Sequence, residues 1–448
     1  MPWHESVAAY VEAVCGQVRW KKARPAIAAE LAAHVEDQAA AYEAAGMPPE
    51  EAREKAIASM GDPVHTGALL DASYRPQPPW GVLFALGSLV ILGFLARTLA
   101  LGQTLDGKQA AALLLALGGF FLFYMMDWRR LIKGTWAAYA LILLAALPRS
   151  ASRAGLAAYP ASTWAYYLVL LLPVVYALII YRCRGKGWEH ILLCGAAFCL
   201  PGCLVMRQPD ISTFLLLAIP CLILLTMAIL SGHFKTPRWK GLLLVWAPTV
   251  AVAALLILSN YYFTYRLEGI LHPAQNPSGS GYLPMLLRGY LNGARLFGQG
   301  ALTGMADART LERFSFRIDY ALTYCIHRFG WWVFIALLGV LVWLFWRLFR
   351  ACRRQTSLLG RLLGYGAALT LAFQFAGYIL SNLGLCVVST MPLPFLSYGN
   401  SSLVVNACLA GLLVSVMAGG SALRDGVFQA GPLFRLPGVM RRFFEEEA

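Results

Sequence analysis

The chain has 448 residues, of which 59% are hydrophobic and only 13% charged, and its formal net charge is +14. Soluble domains carry about 25% charged residues, so the composition argues against an ordinary soluble protein. The basic residues lie in short segments between long apolar runs, which argues against nucleic acid as a partner and favours the headgroups of anionic membrane lipids. The ten cysteines lie mostly inside the apolar runs without metal-site spacing, and we interpret them as small buried hydrophobic residues.

Residues 1–77 differ from the rest of the chain, with eleven acidic and seven basic side chains. The segment 26–45 is rich in Ala and Glu, which favours a helix. Pro48 and Pro49 open a second helical stretch, and Gly61 with Pro63 ends it. We expect a small soluble α-helical domain over residues 1–77, followed by a Pro-rich linker.

Ten apolar runs that we interpret as membrane spans follow the linker, and the third of them is short for a span. The predicted spans are 80–101, 110–126, 134–148, 163–181, 189–205, 211–231, 241–261, 331–347, 359–380 and 402–419. The sequence therefore predicts an all-α, polytopic membrane helix bundle of about ten transmembrane helices over residues 78–425, with a cytoplasmic tail at 426–448.

The distribution of positive charge predicts the orientation of the bundle. Alternate short loops and the tail carry eighteen Lys and Arg residues, and the intervening short loops carry four. Because cytoplasmic loops are the basic ones, both termini should be cytoplasmic and the long segment 262–330 should lie outside.

The outer segment 262–330 is the first candidate for function, since long loops on a bundle of short ones are commonly functional. It holds seven arginines and four acids, a balance that favours phosphate or pyrophosphate binding. Candidate ligands of that anion are Arg266, Arg288 and Arg295. Asp319 lies in a mostly apolar stretch and is either a general base with a raised pKa or an acid paired with a neighbouring arginine.

Two further segments leave alternatives open. Gln208-Pro209-Asp210 either caps the next helix through Asp210 or borders a substrate groove at the mouth of the bundle. The segment 391–402 cannot be a plain spanning helix, because two prolines precede a run of small polar residues. It forms either a re-entrant turn or the floor of a headgroup site, for which the candidate residues are Asn382, Ser397, Tyr398, Ser401 and Ser402.

These segments, in this order, resemble the FtsW/RodA/SpoVE (SEDS) family of bacterial cell-shape, division and sporulation proteins. Pro392 through Ser402 matches the family's closing Pro-Leu-Pro-Phe, Ser-Tyr-Gly and Ser-Ser signature almost letter for letter, and Gln208-Pro209-Asp210 matches its Gln-Pro-Asp. Gly279 through Tyr282 and Gly293 through Gly300 are similar to its glycine-rich outer elements. The resemblance covers roughly residues 80–420 and implies a multi-pass protein of the bacterial cell membrane.

The resemblance implies polymerisation of lipid II, an undecaprenyl-pyrophosphate-linked disaccharide, together with a class B penicillin-binding protein. Asp319 aligns with the family's key acid and would deprotonate the acceptor hydroxyl. The loop arginines would neutralise the leaving pyrophosphate, with a divalent cation, Mg²⁺ or Mn²⁺, as an open addition and no other cofactor or metal ligand set expected. Two other functions stay open: a non-catalytic scaffold that binds lipid II or a penicillin-binding protein, and a flippase for a lipid-linked precursor.

Overall fold

The computed structural model describes residues 7–21, 23–74, 78–101, 107–126, 128–146, 170–206, 211–259, 261–312, 320–355, 357–385 and 400–419. All the secondary structure within these ranges is helical, which confirms the predicted all-α fold class. The described residues divide into two compact units, one within residues 7–74 and one within residues 78–419.

The described part of the first unit consists of four helices, α1 Val7–Gln17, α2 Arg24–Ala44, α3 Pro49–Ser59 and α4 Pro63–Tyr74. Ile27, Leu31 and Val35 recur every four residues along α2 and are buried, because this spacing places them on one helix face. Tyr10 lies in the same core, and its hydroxyl donates a hydrogen bond to the Met60 carbonyl at 3.0 Å. The unit thus has a hydrophobic core of its own.

The second unit contains the long apolar helices. They are α5 Trp80–Leu101, α6 Gly107–Met125, α7 Thr135–Ala146, α8 Leu172–Arg182, α9 Trp188–Met206, α10 Ile211–Leu230 and α11 Arg238–Ser259, followed after the outer segment by α16 Trp331–Arg353, α17 Leu358–Asn382 and α18 Asn400–Gly419. Each predicted span overlaps one of these ten helices. The first part of the predicted span 163–181 lies outside the described residues, and α8 begins at Leu172.

Four of these helices are long and apolar enough to cross a membrane by length and composition alone, namely α6, α16, α17 and the part of α18 from Ser401 to Ala418. Shorter apolar stretches lie in α5 and α7–α10. A span needs about 20 apolar residues, which the 12 residues of α7 do not reach by themselves. The arrangement is that of a polytopic membrane protein.

The centre of the bundle is formed by α8 and α17. Every residue of α8 from Leu172 to Ile180 is buried, and 72% of the apolar window of α17 is buried against 22% for α16. Gly366 of α17 lies so close to the backbone of α8 that a Cβ atom there would come within 2.9 Å of the Pro173 carbonyl oxygen. Small residues at such crossings allow membrane helices to approach closely.

The predicted basic loops meet at one end of the bundle. The Arg182 guanidinium donates a hydrogen bond to the Ile132 carbonyl at 3.0 Å, which joins the end of α8 to the turn before α7. The Gly185 N–H donates to the His233 carbonyl at 2.8 Å, which joins the loops that follow α8 and α10. Which side of the membrane this end faces stays a prediction.

Candidate functional site

The outer segment contains four short helices, α12 Tyr261–Leu271, α13 Tyr282–Asn292, α14 Ala308–Glu312 and α15 Ala321–Phe329. Arg288 on α13 donates from Nη2 to the Ile270 carbonyl of α12 at 2.8 Å. Gly281, just before α13, lets the backbone pass close to Pro273 at the turn between the two helices, because a Cβ atom there would overlap the Pro273 carbonyl oxygen. Arg288, a predicted substrate ligand, therefore ties two outer helices together.

Tyr290 fastens α13 to the loop that follows it. Its hydroxyl donates to the Asp307 carbonyl at 2.6 Å, and burial raises the pKa of this hydroxyl above its ordinary value. On the same helix the Gly289 carbonyl accepts a hydrogen bond from the Thr303 hydroxyl at 2.6 Å. The residues that follow the glycine-rich segment Gly293 through Gly300 are thus folded back onto α13.

The same loop pairs with the end of α15 through backbone hydrogen bonds. The Gly300 N–H donates to the His327 carbonyl and the Gly298 N–H to the Phe329 carbonyl, each at 2.8 Å. The Trp331 N–H donates to the Arg295 carbonyl at 3.0 Å, and the Arg295 side chain is exposed. The loop therefore joins α15 to the first residue of α16, where the chain returns to the membrane.

The N-terminus of α15 is held by two side chains of α17. The Leu322 N–H donates to the Tyr378 hydroxyl at 3.2 Å, and the Thr323 N–H donates to Asn382 Oδ1 at 3.1 Å. The Thr323 hydroxyl donates to the Asn382 carbonyl at 2.7 Å, and Asn382 Nδ2 donates to the Tyr378 carbonyl at 3.0 Å. Thr323 and Asn382 are fully buried. Because the first N–H groups of a helix have no partner within it, these contacts satisfy donors that burial would leave unpaired.

Asp319, the predicted general base, lies outside the described residues and is joined to Ala321 of α15 by Tyr320 alone. Thr323, four residues after Asp319, forms the junction with α17. His327 is buried, its Nδ1 lies 3.3 Å from the Tyr290 carbonyl oxygen, and the two rings pack edge to face with centroids 5.5 Å apart. His327 thus packs against α13.

A second buried polar network joins α17 and α18. Gln374 Nε2 donates to Asn406 Oδ1 at 3.0 Å, and Asn406 Nδ2 donates to the Ser402 hydroxyl at 3.0 Å. Ser401 and Ser402, both predicted to bind substrate, are 9% and 1% exposed. The network lies just beyond the segment 386–399, whose candidates Ser397 and Tyr398 are outside the described residues.

The remaining predicted residues are divided between the described and undescribed parts of the chain. Gln208 and Asp210 lie outside the described residues, and Arg266 is part of α12 without a described side chain. Within the described ranges, no three His, Cys, Asp or Glu side chains come together as a metal site would require. The binding roles and the divalent cation stay predictions.

Sequence reasoning missed Tyr378 and Asn406. Asn406 is a polar residue inside an apolar span, a signal that marks such residues for attention. Tyr378 gave no signal, because a tyrosine is common in membrane helices and its partner lies 56 residues away in the sequence.

The polytopic helix bundle, with the folded segment between α11 and α16, defines an integral membrane protein. Residues 80–421 match the model of the cell cycle protein family FTSW_RODA_SPOVE. The match covers most of the chain, and the chain belongs to this family.

Curated relatives agree with the family. The chain is 29% identical over 235 residues to a probable peptidoglycan glycosyltransferase FtsW of Francisella salina. The alignment covers 51% of this chain and 56% of the relative. It is 24% identical over 245 residues to the peptidoglycan glycosyltransferase MrdB of Helicobacter pylori, with 52% of this chain and 59% of the relative covered. The matches thus span between about half and two thirds of these relatives.

Solved structures share the fold. A chain of a peptidoglycan synthase complex that coordinates polymerization and crosslinking is similar with a TM-score of 0.60 and 23% identity, over 76% of this chain and 97% of that one. The rod shape determining protein RodA of Thermus thermophilus is similar with a TM-score of 0.51 and 22% identity, over 76% of this chain and 96% of that one.

Proposed function

We propose that this protein is a peptidoglycan glycosyltransferase that polymerises lipid II at the outer face of the bacterial cell membrane, with both of its termini in the cytoplasm. The observation that carries the proposal is the family match over residues 80–421. The names of the relatives and the anchored position of α15, directly after Asp319, support it.

In the proposed reaction, the Asp319 carboxylate accepts the proton of the acceptor sugar's 4-hydroxyl. The resulting oxygen nucleophile attacks the anomeric carbon of the donor, a glycosidic bond forms, and undecaprenyl pyrophosphate leaves with the bonding electron pair. Arginine guanidinium groups of the outer segment would stabilise the charge that develops on the pyrophosphate. Arg295 is exposed and available for that role, whereas Arg288 Nη2 already donates to a backbone carbonyl.

The N-terminus of α15 gives this chemistry a rigid support. Tyr378 and Asn382 belong to α17, which is largely buried in the bundle. Their hydrogen bonds therefore fix α15 relative to the bundle. A general base needs such a fixed position, because proton transfer requires a donor–acceptor distance of about 2.6–3.2 Å. Asn382 therefore acts, in this proposal, as a positioning residue.

A class B penicillin-binding protein is the proposed partner. On α16, the side chains of Leu337, Leu341 and Leu344 are buried in the bundle, whereas the opposite face is exposed. That face carries a shallow apolar groove of about 660 Å³ lined by Ile335, Leu338, Gly339, Val342, Trp343 and Trp346. A transmembrane helix of the partner could pack there, since the absence of a side chain at Gly339 permits close approach.

The test is polymerisation of lipid II by the purified full-length protein with its penicillin-binding partner. Replacement of Asp319 by Asn should lower the rate by about 100-fold or more, the contribution typical of a general base. Glu268→Gln is the matched control, since Glu268 is an exposed acid of the same outer segment and should be replaceable without loss. An Asp319→Asn enzyme that keeps the wild-type rate would refute the assignment.

A non-catalytic scaffold is the second candidate. Its support comes from the resemblance to the family, which implies two glutamates at the positions that His327 and Arg328 occupy in this chain. His327 is buried and Arg328 donates to Gln299 Oε1 at 2.7 Å, so both residues serve the packing of the outer loop. Under this alternative, Asp319→Asn would complement a deletion strain fully and the purified protein would show no polymerisation. Polymerisation that depends on Asp319 would reject it.

A further inference from the structure

The loops that follow α8 and α10 are joined into one platform at the basic end of the bundle. The Gly185 N–H donates to the His233 carbonyl and the Lys235 N–H donates to the Lys186 carbonyl, each at 2.8 Å. These two hydrogen bonds fix the relative position of residues 183–187 and 231–237. The backbones of the two loops are therefore held side by side.

Two arginines and one histidine from three parts of the chain lie near one another at this platform. Arg184 comes from the first loop, His233 from the second, and Arg361 from the first turn of α17, and all three side chains are half-buried. Burial lowers the pKa of His233, and the nearby Arg361 and Arg184 lower it further, against a raising effect of the Ser231 backbone. The two guanidinium groups thus act on the same imidazole.

No described carboxylate balances this cluster. Among the residues that the structure describes, no carboxylate forms an ion pair with Arg184, His233 or Arg361, and the ion pair at Arg19 and Asp71 belongs to the first unit. Glu189 opens α9 next to the first loop and is exposed, and it pairs with neither arginine in the described structure. The position of Arg361 adds to the imbalance, because the N-terminus of a helix already carries partial positive charge.

The same platform carries buried polar atoms with unused hydrogen-bonding capacity. Thr236 Oγ1, on the second loop, and His190 Nδ1, just after the first loop, are buried and have no hydrogen-bond partner within the described structure. Buried polar atoms of this kind are rare and call for a ligand or ordered solvent.

We propose that Arg184, His233 and Arg361 form an anion-binding site whose ligand is a phosphate group, carried by the headgroup of an anionic phospholipid. Guanidinium groups bind phosphate through charge-assisted hydrogen bonds, and loops that are already joined lower the entropic cost of binding it. A headgroup would reach the site from the adjacent leaflet because the platform lies at the ends of membrane helices. The site is independent of the chemistry proposed at Asp319.

The experiment measures thermal unfolding of the full-length protein in neutral detergent micelles doped with phosphatidylglycerol, with phosphatidylcholine, or with inorganic phosphate in solution. Phosphatidylglycerol should raise the unfolding midpoint of the wild type, and phosphatidylcholine should not. The Arg184→Gln/Arg361→Gln variant should bind phosphatidylglycerol about tenfold more weakly or worse. The charge-matched control Arg238→Gln/Lys240→Gln, at exposed positions on the same end, should keep wild-type affinity within about twofold.

The remaining outcomes are decisive as well. An equal midpoint shift with inorganic phosphate at the same phosphate concentration would support the site and assign it to a soluble phosphate ligand. Phosphatidylglycerol affinity that is unchanged in the Arg184/Arg361 variant, or lowered as much in the control, would overturn the proposal. In phosphatidylcholine alone, that variant should unfold at or above the wild-type midpoint because repulsion is relieved. If it is instead less stable, Arg184→Lys/Arg361→Lys provides the test, since it keeps the charge and should retain part of the affinity.

Discussion

Replacing Asn382 by Ala should detach the N-terminus of α15 from α17. The fully buried side chain accepts a hydrogen bond from the Thr323 N–H and donates one to the Tyr378 carbonyl. Without it, the Thr323 N–H is left unpaired, whereas the Thr323 hydroxyl keeps the backbone carbonyl of residue 382. The perturbation is therefore local to one end of one short helix.

The size of the effect follows from these contacts. An unpaired buried donor costs about 1–3 kcal/mol, and the lost bond to Tyr378 adds about 0.5–1.5 kcal/mol. A loss of about 2–4 kcal/mol raises the population of the detached state by about 30-fold to 1000-fold. The helix α15, which follows the proposed general base in the chain, would then lose its attachment to α17, and the polymerisation rate should fall even though Asp319 is intact.

Hydrogen exchange measured by mass spectrometry checks this directly. Amides of peptides covering residues 320–327 should exchange at least tenfold faster in Asn382→Ala, while peptides from the middle of α17 keep wild-type protection. Thr370→Val is the control, because Thr370 is fully buried on α17 and donates only to the Gly366 carbonyl of its own helix. Wild-type exchange at 320–327 in Asn382→Ala would refute the anchoring role.

Three further predictions concern the outer turn, the partner groove and pH. Gly281→Ala should destabilise the outer segment by about 1–3 kcal/mol, because its Cβ would overlap the Pro273 carbonyl, whereas Gly87→Ala, with open space around it, should be neutral or stabilising in the same thermal assay. Gly339→Trp should fill the groove on α16 and reduce co-purification of a penicillin-binding protein at least tenfold without lowering the unfolding midpoint. His233 has a folded-state pKa below its unfolded value, so its contribution to stability is present above about pH 6.5 and is lost as the pH falls through that value towards the folded pKa. The unfolding midpoint should drop between pH 7.5 and 5.5, and His233→Gln should show a flatter pH dependence.

The spans were predictable from the sequence because the membrane demands long apolar runs, and each of the ten predicted runs falls on a helix. The outer helices α12 and α13 were not predicted. They are short, and tertiary contacts such as the Arg288–Ile270 hydrogen bond, rather than local helix propensity, stabilise them. Each of these 11-residue helices is too short for its sequence to indicate a helix reliably.

The candidate site was predictable in part. Asn382 drew attention because an amide is unusual in an apolar span. The structure shows it fully buried with a hydrogen bond to Thr323, and its role in substrate binding stays a prediction. Its partner Thr323 could not be paired with it from sequence, because the two lie 59 residues apart and only the folded outer segment brings them together. The catalytic role of Asp319 is assigned by the resemblance to the family, since residues 313–319 lie outside the described residues.

The amide–hydroxyl network between α17 and α18 has a consequence for biogenesis. Gln374, Asn406 and Ser402 are polar groups placed between two membrane helices, and hydrocarbon offers them no hydrogen-bond partner. Until α18 leaves the translocation machinery, Gln374 on α17 lacks the acceptor that Asn406 provides. A chain truncated before Asn400 would therefore retain an unsatisfied amide within the bilayer, a feature by which membrane quality control can distinguish a finished protein from an unfinished one.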